Sequence, residues 1–152
     1  RQYEDSIGGR LAHVIEQNAP HRTFLVLSPG IYPLWPMINY VEGRMTMRFL
    51  SLWVLQGIYA TCDDFPALYN PPDTMGDPEK FVFDAVSEDF AREHPDLLII
   101  DRIAGIPRCQ GKEFDYLEYF LQNRVFADAF EDYEHLMDFD RYIIYRRKKK
   151  KN

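Results

Sequence analysis

Apolar and polar positions follow two rhythms along this chain, and the rhythm separates helices from strands. Tyr3, Ile7, Leu11, Val14 and Ile15 recur at helical spacing, which predicts an amphipathic helix over residues 3–18 closed by Pro20. Gly8 and Gly9 weaken it by about 1 kcal/mol each relative to alanine, or allow close packing on a neighbour. Thr23 to Leu27 is apolar without alternation, the pattern of a strand buried on both faces, and Ser28-Pro29-Gly30 ends it in a turn. Pro33 then opens a short helix reaching about Val41, and Arg44 to Phe49 reads as a second strand. Residues 50–60 are apolar and fit no single element. Asp63 to Asp77 reads as a long loop, of the kind often used for binding.

The clearest helix begins with Asp77 as N-cap and Pro78 at its first position, and Pro95 stops it after His94. Its apolar stripe is Phe81, Val82, Ala85, Val86, Phe90 and Ala91. Asp96 to Asp101 is a second doubly buried strand, joined to that helix by the tight step typical of an α/β unit. After a loop with Gly105, Pro107 and Gly111, Asp115–Gln122 and Val125–Glu134 read as helices. Between Lys112 and Asp140, nine acids interleave with eight aromatics, which predicts an aromatic face on a sheet and an acidic face in water. Met137–Phe139 and Tyr142–Tyr145 flank Asp140-Arg141 as a terminal hairpin. The pattern predicts one α/β domain over residues 1–147, a Rossmann-like three-layer sandwich. Its sheet is expected to be mostly parallel, with the C-terminal β-hairpin at one edge.

Composition sharpens this picture. The 152 residues include 11 Phe, 10 Tyr and 2 Trp, so much of the core consists of rings. The net charge of −6 conceals a split, because Arg146 to Lys151 hold six of the 18 cations. The remaining twelve cations face 24 acids, and so acidic a body repels phosphate backbones, which excludes a nucleic-acid groove on it. Only the tail suits an anion. Residues 148–152 read as a disordered basic end, with contact to anionic lipid as the alternative. Thr23–Val41 is uncharged and long enough for a membrane helix, but Pro29, Pro33 and Pro36 argue against one.

No complete catalytic motif is present. His13, His21, His94 and His135 lack metal-ligand spacing, and no metal or cofactor is expected. Cys62 and Cys109 read as unpaired apolar side chains, or as a pair in an oxidising compartment. Asp63-Asp64 and Asp138/Asp140 read as solvated acids. Ser28 and Tyr32 follow a buried strand, where an open α/β sheet faces its ligand crevice, but Gly30 stands alone without a dinucleotide fingerprint. Asp101 and Arg102 end the other buried strand, where a carboxylate serves as base or ribose acceptor, or pairs with the neighbouring Arg102. Ser28, Tyr32, Asp101 and Arg102 are therefore the candidate ligand-binding residues.

Five stretches occur in an order that carries a resemblance: Leu27–Pro33, Arg48–Tyr59, His94–Asp101, Phe114–Phe120 and Tyr142–Arg147. The chain resembles the C-terminal soluble domain of bacterial multi-spanning membrane proteins of the polyprenyl-phosphate-sugar glycosyltransferase type. The resemblance implies a transmembrane part of the same parent chain before Arg1. It implies a place on the extracytoplasmic, periplasmic face of the inner membrane, and contact with a lipid-linked sugar or an acceptor. That family's catalytic acid lies in the membrane part, so no catalytic residue carries over and the 152 residues alone would not turn over. Arg1 in place of Met, with no signal peptide, also predicts a piece of a longer chain. The alternatives are a self-contained Rossmann-like small-molecule enzyme at Ser28–Tyr32 and Asp101, and a protein-interaction module.

Overall fold

In the computed structural model, which describes residues 5–32, 34–61, 69–107 and 109–150, the two all-apolar runs become neighbouring central strands. Strand β1 (Thr23–Leu27) pairs in parallel with β3 (Leu97–Asp101), with Leu27 opposite Ile100. The two-residue β2 (Arg44–Met45) joins β1 in parallel on its other side. The hairpin of β4 (Tyr133–Phe139) and β5 (Tyr142–Arg147) completes the sheet, β5 lying antiparallel to β3. The order is β2-β1-β3-β5-β4, an open five-stranded sheet. Two of its four pairings are antiparallel, so the sheet is mixed and not mostly parallel. The reason lies in β2 and the hairpin: β2 stops at Met45, short of the expected Phe49, while β4 extends back to Tyr133, where helix was expected.

Alternation across the central strands fills two cores. Leu25, Leu27, Leu98 and Ile100 face one side, under α3 (Trp53–Ile58), α4 (Asp77–Glu93), α5 (Tyr116–Leu121) and α6 (Arg124–Phe130). Phe24, Val26, Leu97 and Ile99 face the other, under α1 (Ile7–Asn18) and α2 (Leu34–Met37). Both faces of these strands are covered, which is why they show no polar alternation. The first core is built of rings: Phe90 stacks on Phe126 at 4.5 Å between centroids, and Tyr69 packs on Phe114 at 4.9 Å. Tyr116, Tyr119, Phe120 and Phe126 are the buried aromatic face of the acidic segment, as expected.

Local chemistry accounts for the element ends. Ser6 caps α1 by accepting from the Gly9 amide at 3.1 Å. Tyr3, predicted within this helix, lies outside the described residues. Gly76, not Asp77, is the N-cap of α4, which places Asp77 and Pro78 in the first turn, where an acid and a missing N–H both suit the helix. Trp35 adopts extended dihedrals (φ −104°, ψ 125°) inside the short α2. Pro36 disfavours helical geometry at the residue before it, so the helix expected up to Val41 is cut short. Asp140 turns the hairpin at φ 53°.

Gly43 shows how tightly β2 is held. A Cβ there would meet the Arg22 carbonyl oxygen at 2.7 Å and the side chains of Val41 and Phe24 at 3.0 and 3.1 Å. Because the nearest obstacle is backbone, Gly43→Ala is expected to destabilise the protein by about 1–3 kcal/mol. A lower urea midpoint with an unchanged slope would show it; an unchanged midpoint would mean that the β2 edge yields freely.

Candidate functional site

β1 connects to β2 on one side, and β3 connects onward to the hairpin on the other. Their carboxyl ends therefore flank a topological switch point, the usual ligand crevice of an open α/β sheet. Ser28 and Asp101 follow the paired residues Leu27 and Ile100, so the structure brings these two candidates to the same edge. Both are buried.

Hydrogen bonding shows what each can do. Ser28 Oγ donates to the Tyr32 carbonyl at 3.3 Å, which tightens the turn and engages no base. The Ser28 carbonyl accepts from the Leu52 amide at 2.8 Å and so anchors the start of α3. Asp101 Oδ1 accepts from Arg141 Nε at 2.9 Å and from the Ile103 amide at 3.0 Å. Arg141 also donates to the Ile103 carbonyl at 3.0 Å. Arg102 turns away from Asp101: it donates to Asp138 at 3.2 Å and to the Asp140 carbonyl at 2.7 Å. The Asp101–Arg102 pair considered from sequence is thus replaced by Asp101–Arg141, because β3 and β5 run side by side and place Arg141 at the strand end. Hydrogen bonding to Asp101 raises the Arg141 pKa above its ordinary value, against the effect of burial. Asp101 is an ion-paired loop anchor, and its bonded oxygen is not free to act as a base.

Four further residues enter this edge that pattern reading did not single out: Gln56, Tyr116, Arg141 and Tyr142. Gln56 Nε2 donates to Tyr116 Oη at 2.5 Å, while Gln56 Oε1 is buried with no hydrogen-bond partner among the described residues. Burial pushes the Tyr116 phenol up, opposed by the bond from Gln56 and helped by Asp101. The Tyr142 phenol is pushed up by burial and then by Asp101, with Tyr32 also near enough to contribute. The one available signal was Gln56 itself, an amide within the otherwise apolar run Leu52–Ala60.

Exposed apolar side chains follow the ends of these strands. Ile31, Tyr32 and Trp35 follow β1, Leu50 and Trp53 follow β2, and Ile103 follows β3; all six are exposed. Trp35 and Trp53 are the chain's two tryptophans, 55% and 67% exposed. Their segments are the two uncharged stretches of the sequence, brought together by the bond from the Leu52 amide to Ser28.

Cys109 is disulfide-bonded and buried in the ring-rich core, which agrees with the second of the two sequence readings and not with unpaired cysteines. Cys62 and the Asp63-Asp64 pair lie outside the described residues. Asp138, expected as a solvated acid, pairs with His135 at 2.8 Å and Arg102 at 3.2 Å, and these partners hold its pKa below the usual range. Among the described residues, no three His, Cys, Asp or Glu side chains gather as a metal site, and no helix is long and apolar enough to cross a membrane. Comparison with protein-family models, curated proteins and solved structures finds no match to the chain.

Proposed function

We propose that this chain is a non-catalytic soluble domain of an integral membrane protein of glycosyltransferase-like type, with a Rossmann-like three-layer architecture. It sits on the lipid–water interface by the carboxyl edge of its parallel strands. The observation that carries this reading is the exposure of both tryptophans, together with Ile31, Tyr32, Leu50 and Ile103, on the segments that follow the three parallel strands. Tryptophan is usually highly buried, and Trp and Tyr rings suit an interface that is apolar at one end and wet at the other. The disulfide at Cys109 fits an oxidising, extracytoplasmic compartment. Seated this way, the rim faces the membrane part of the parent chain, beside a lipid-linked donor or an acceptor.

Vesicle co-sedimentation and tryptophan emission test this with the 152-residue chain. Neutral phosphatidylcholine vesicles should retain the protein and shift its emission to the blue. Trp35→Ala with Trp53→Ala should lower partitioning about 100-fold, at about 1.5 kcal/mol per ring. Circular dichroism should stay unchanged, since both side chains are exposed. No retention of the wild type, or equal retention of the double variant, would refute the placement. Glycosyl transfer by this chain alone would refute its non-catalytic role.

A second reading, a small-molecule enzyme at Ser28, Tyr32, Asp101 and Arg102, has one observation in its favour: the unpartnered Gln56 Oε1 beneath that edge. A donor from a bound ligand would satisfy it. The engagement of Asp101 by Arg141 counts against catalysis there.

A further inference from the structure

The opposite, amino-terminal edge of β1 and β3 opens on a cleft of about 1100 Å³, and its walls differ in charge from the rest of the molecule. Six cations line it (Arg22, Arg146, Arg147, Lys148, Lys149 and Lys150) against three acids, Glu16, Asp96 and Asp132. The whole chain carries −6, so this is a positive focus on an acidic body. Helices α1 and α4 also end here. Their C-termini bring about half a negative charge each, too little to cancel an excess of three cations.

Several of the cations are already engaged. Arg147 donates to Asp96 at 3.2 Å and to the His94 carbonyl at 2.9 Å. Asp96 also accepts from the His21 amide at 2.6 Å and meets His21 Nδ1 at 3.1 Å, so its charge is spent within the wall. Arg146 pairs with Glu134 at 2.9 Å. Lys148 holds the chain in place: its amide donates to the Asp132 carbonyl at 2.7 Å and its Nζ to the Glu131 carbonyl at 3.0 Å. That leaves Arg22, Lys149 and Lys150 with neither an ion pair nor a side-chain hydrogen bond among the described residues. Arg22 is the telling one. Its Nη1 is buried and has no hydrogen-bond partner, although a guanidinium nitrogen shut away from water strongly favours one. Its backbone is held in the left-handed region at φ 57°. The Arg22 carbonyl accepts from the Arg44 amide at 2.7 Å, so the strained residue is fixed beside β2.

We propose that this cleft binds a phosphate-bearing anion, with Arg22, whose guanidinium is left without a full set of partners, and Lys149 and Lys150 from the tail supplying the donors. Guanidinium geometry suits a tetrahedral oxyanion, and lysines at the mouth add charge without demanding one orientation. The tail, which pattern reading treats as a disordered end, then forms one wall of a site. The inference does not rest on the membrane-docking reading, because that surface lies at the other edge of the sheet.

Titration of the 152-residue chain with inorganic pyrophosphate, followed by calorimetry, tests the site. Vesicles of phosphatidylcholine with and without phosphatidylglycerol form the second arm, separating a soluble ligand from a lipid headgroup. Saturable pyrophosphate binding that weakens with added salt is expected. Arg22→Ala and the exposed pair Lys149→Ala/Lys150→Ala should each weaken it about tenfold or more. Arg124→Ala, whose side chain is exposed at the start of α6, should leave it unchanged. Binding confined to phosphatidylglycerol vesicles and lost in the same variants would support the site with a headgroup as its ligand. Binding of neither probe, or binding that the tail pair and Arg22→Ala leave unaltered, would overturn the proposal.

Discussion

Raising the pH from 10 to 12 should unfold this protein. Tyr59, Tyr69, Tyr116, Tyr119, Tyr133 and Tyr142 are buried, and burial is the largest cause raising each phenol above its ordinary value of 10.0. Tyr69, pushed up to about 12, is the least perturbed of the six. The folded-state values are raised, so their contribution is intact below pH 10 and is lost as pH climbs toward the folded values. In that window the unfolded chain releases phenol protons that the folded chain retains. Each phenol then costs about 1.4 kcal/mol per pH unit. Six together cost on the order of 8 kcal/mol by pH 11, comparable to the whole stability of a typical domain. Tyrosinate absorbance and far-ultraviolet circular dichroism should therefore change together, with a midpoint near pH 11. Ionisation of all ten phenols near pH 10 while the helical signal persists would show that these rings are not packed as described.

Glu79→Ala is expected to lower the unfolding free energy by about 3–4 kcal/mol. The Glu79 carboxyl is 2% exposed and accepts from Tyr59 Oη at 2.6 Å, Tyr119 Oη at 2.9 Å and Asn70 Nδ2 at 2.9 Å. The three donors come from the end of α3, from α5 and from the segment before α4, so one side chain fastens three pieces of chain. Removing it strands three donors, each at about 1–3 kcal/mol, less what phenol rotation recovers. Glu79→Gln keeps an acceptor and fills the same space, so about 1–2 kcal/mol is expected there. For a chain of this size the alanine variant should melt about 10 °C lower. Equal losses in the two variants would mean that shape, not hydrogen bonding, explains the need for Glu79.

Glu79 also marks where pattern reading stops. In the sequence it is an acid in the first turn of a helix, well suited to the dipole, and nothing nearby announces its burial. Tyr59 and Tyr119 lie 20 and 40 residues away and meet it only once α3 and α5 stand against α4. The candidate site divides in the same way. Ser28 and Asp101 were legible as ends of buried strands, and the fold does place them side by side. That Asp101 would be taken by Arg141, 40 residues on, depended on the antiparallel arrival of β5.

The chain's own pattern determined the local pieces: helices Ile7–Asn18 and Asp77–Glu93, the doubly buried strands Thr23–Leu27 and Leu97–Asp101, and the hairpin around Asp140. These follow from periodicity, prolines and caps, which act over a few residues. Tertiary structure alone decided the mixed pairing of the sheet, the gathering of two uncharged stretches into an aromatic rim, and the folding of a basic tail beside Arg22. Each joins groups far apart in sequence, and such contacts form only when burial of the two cores offsets the entropy of closing the loops between them.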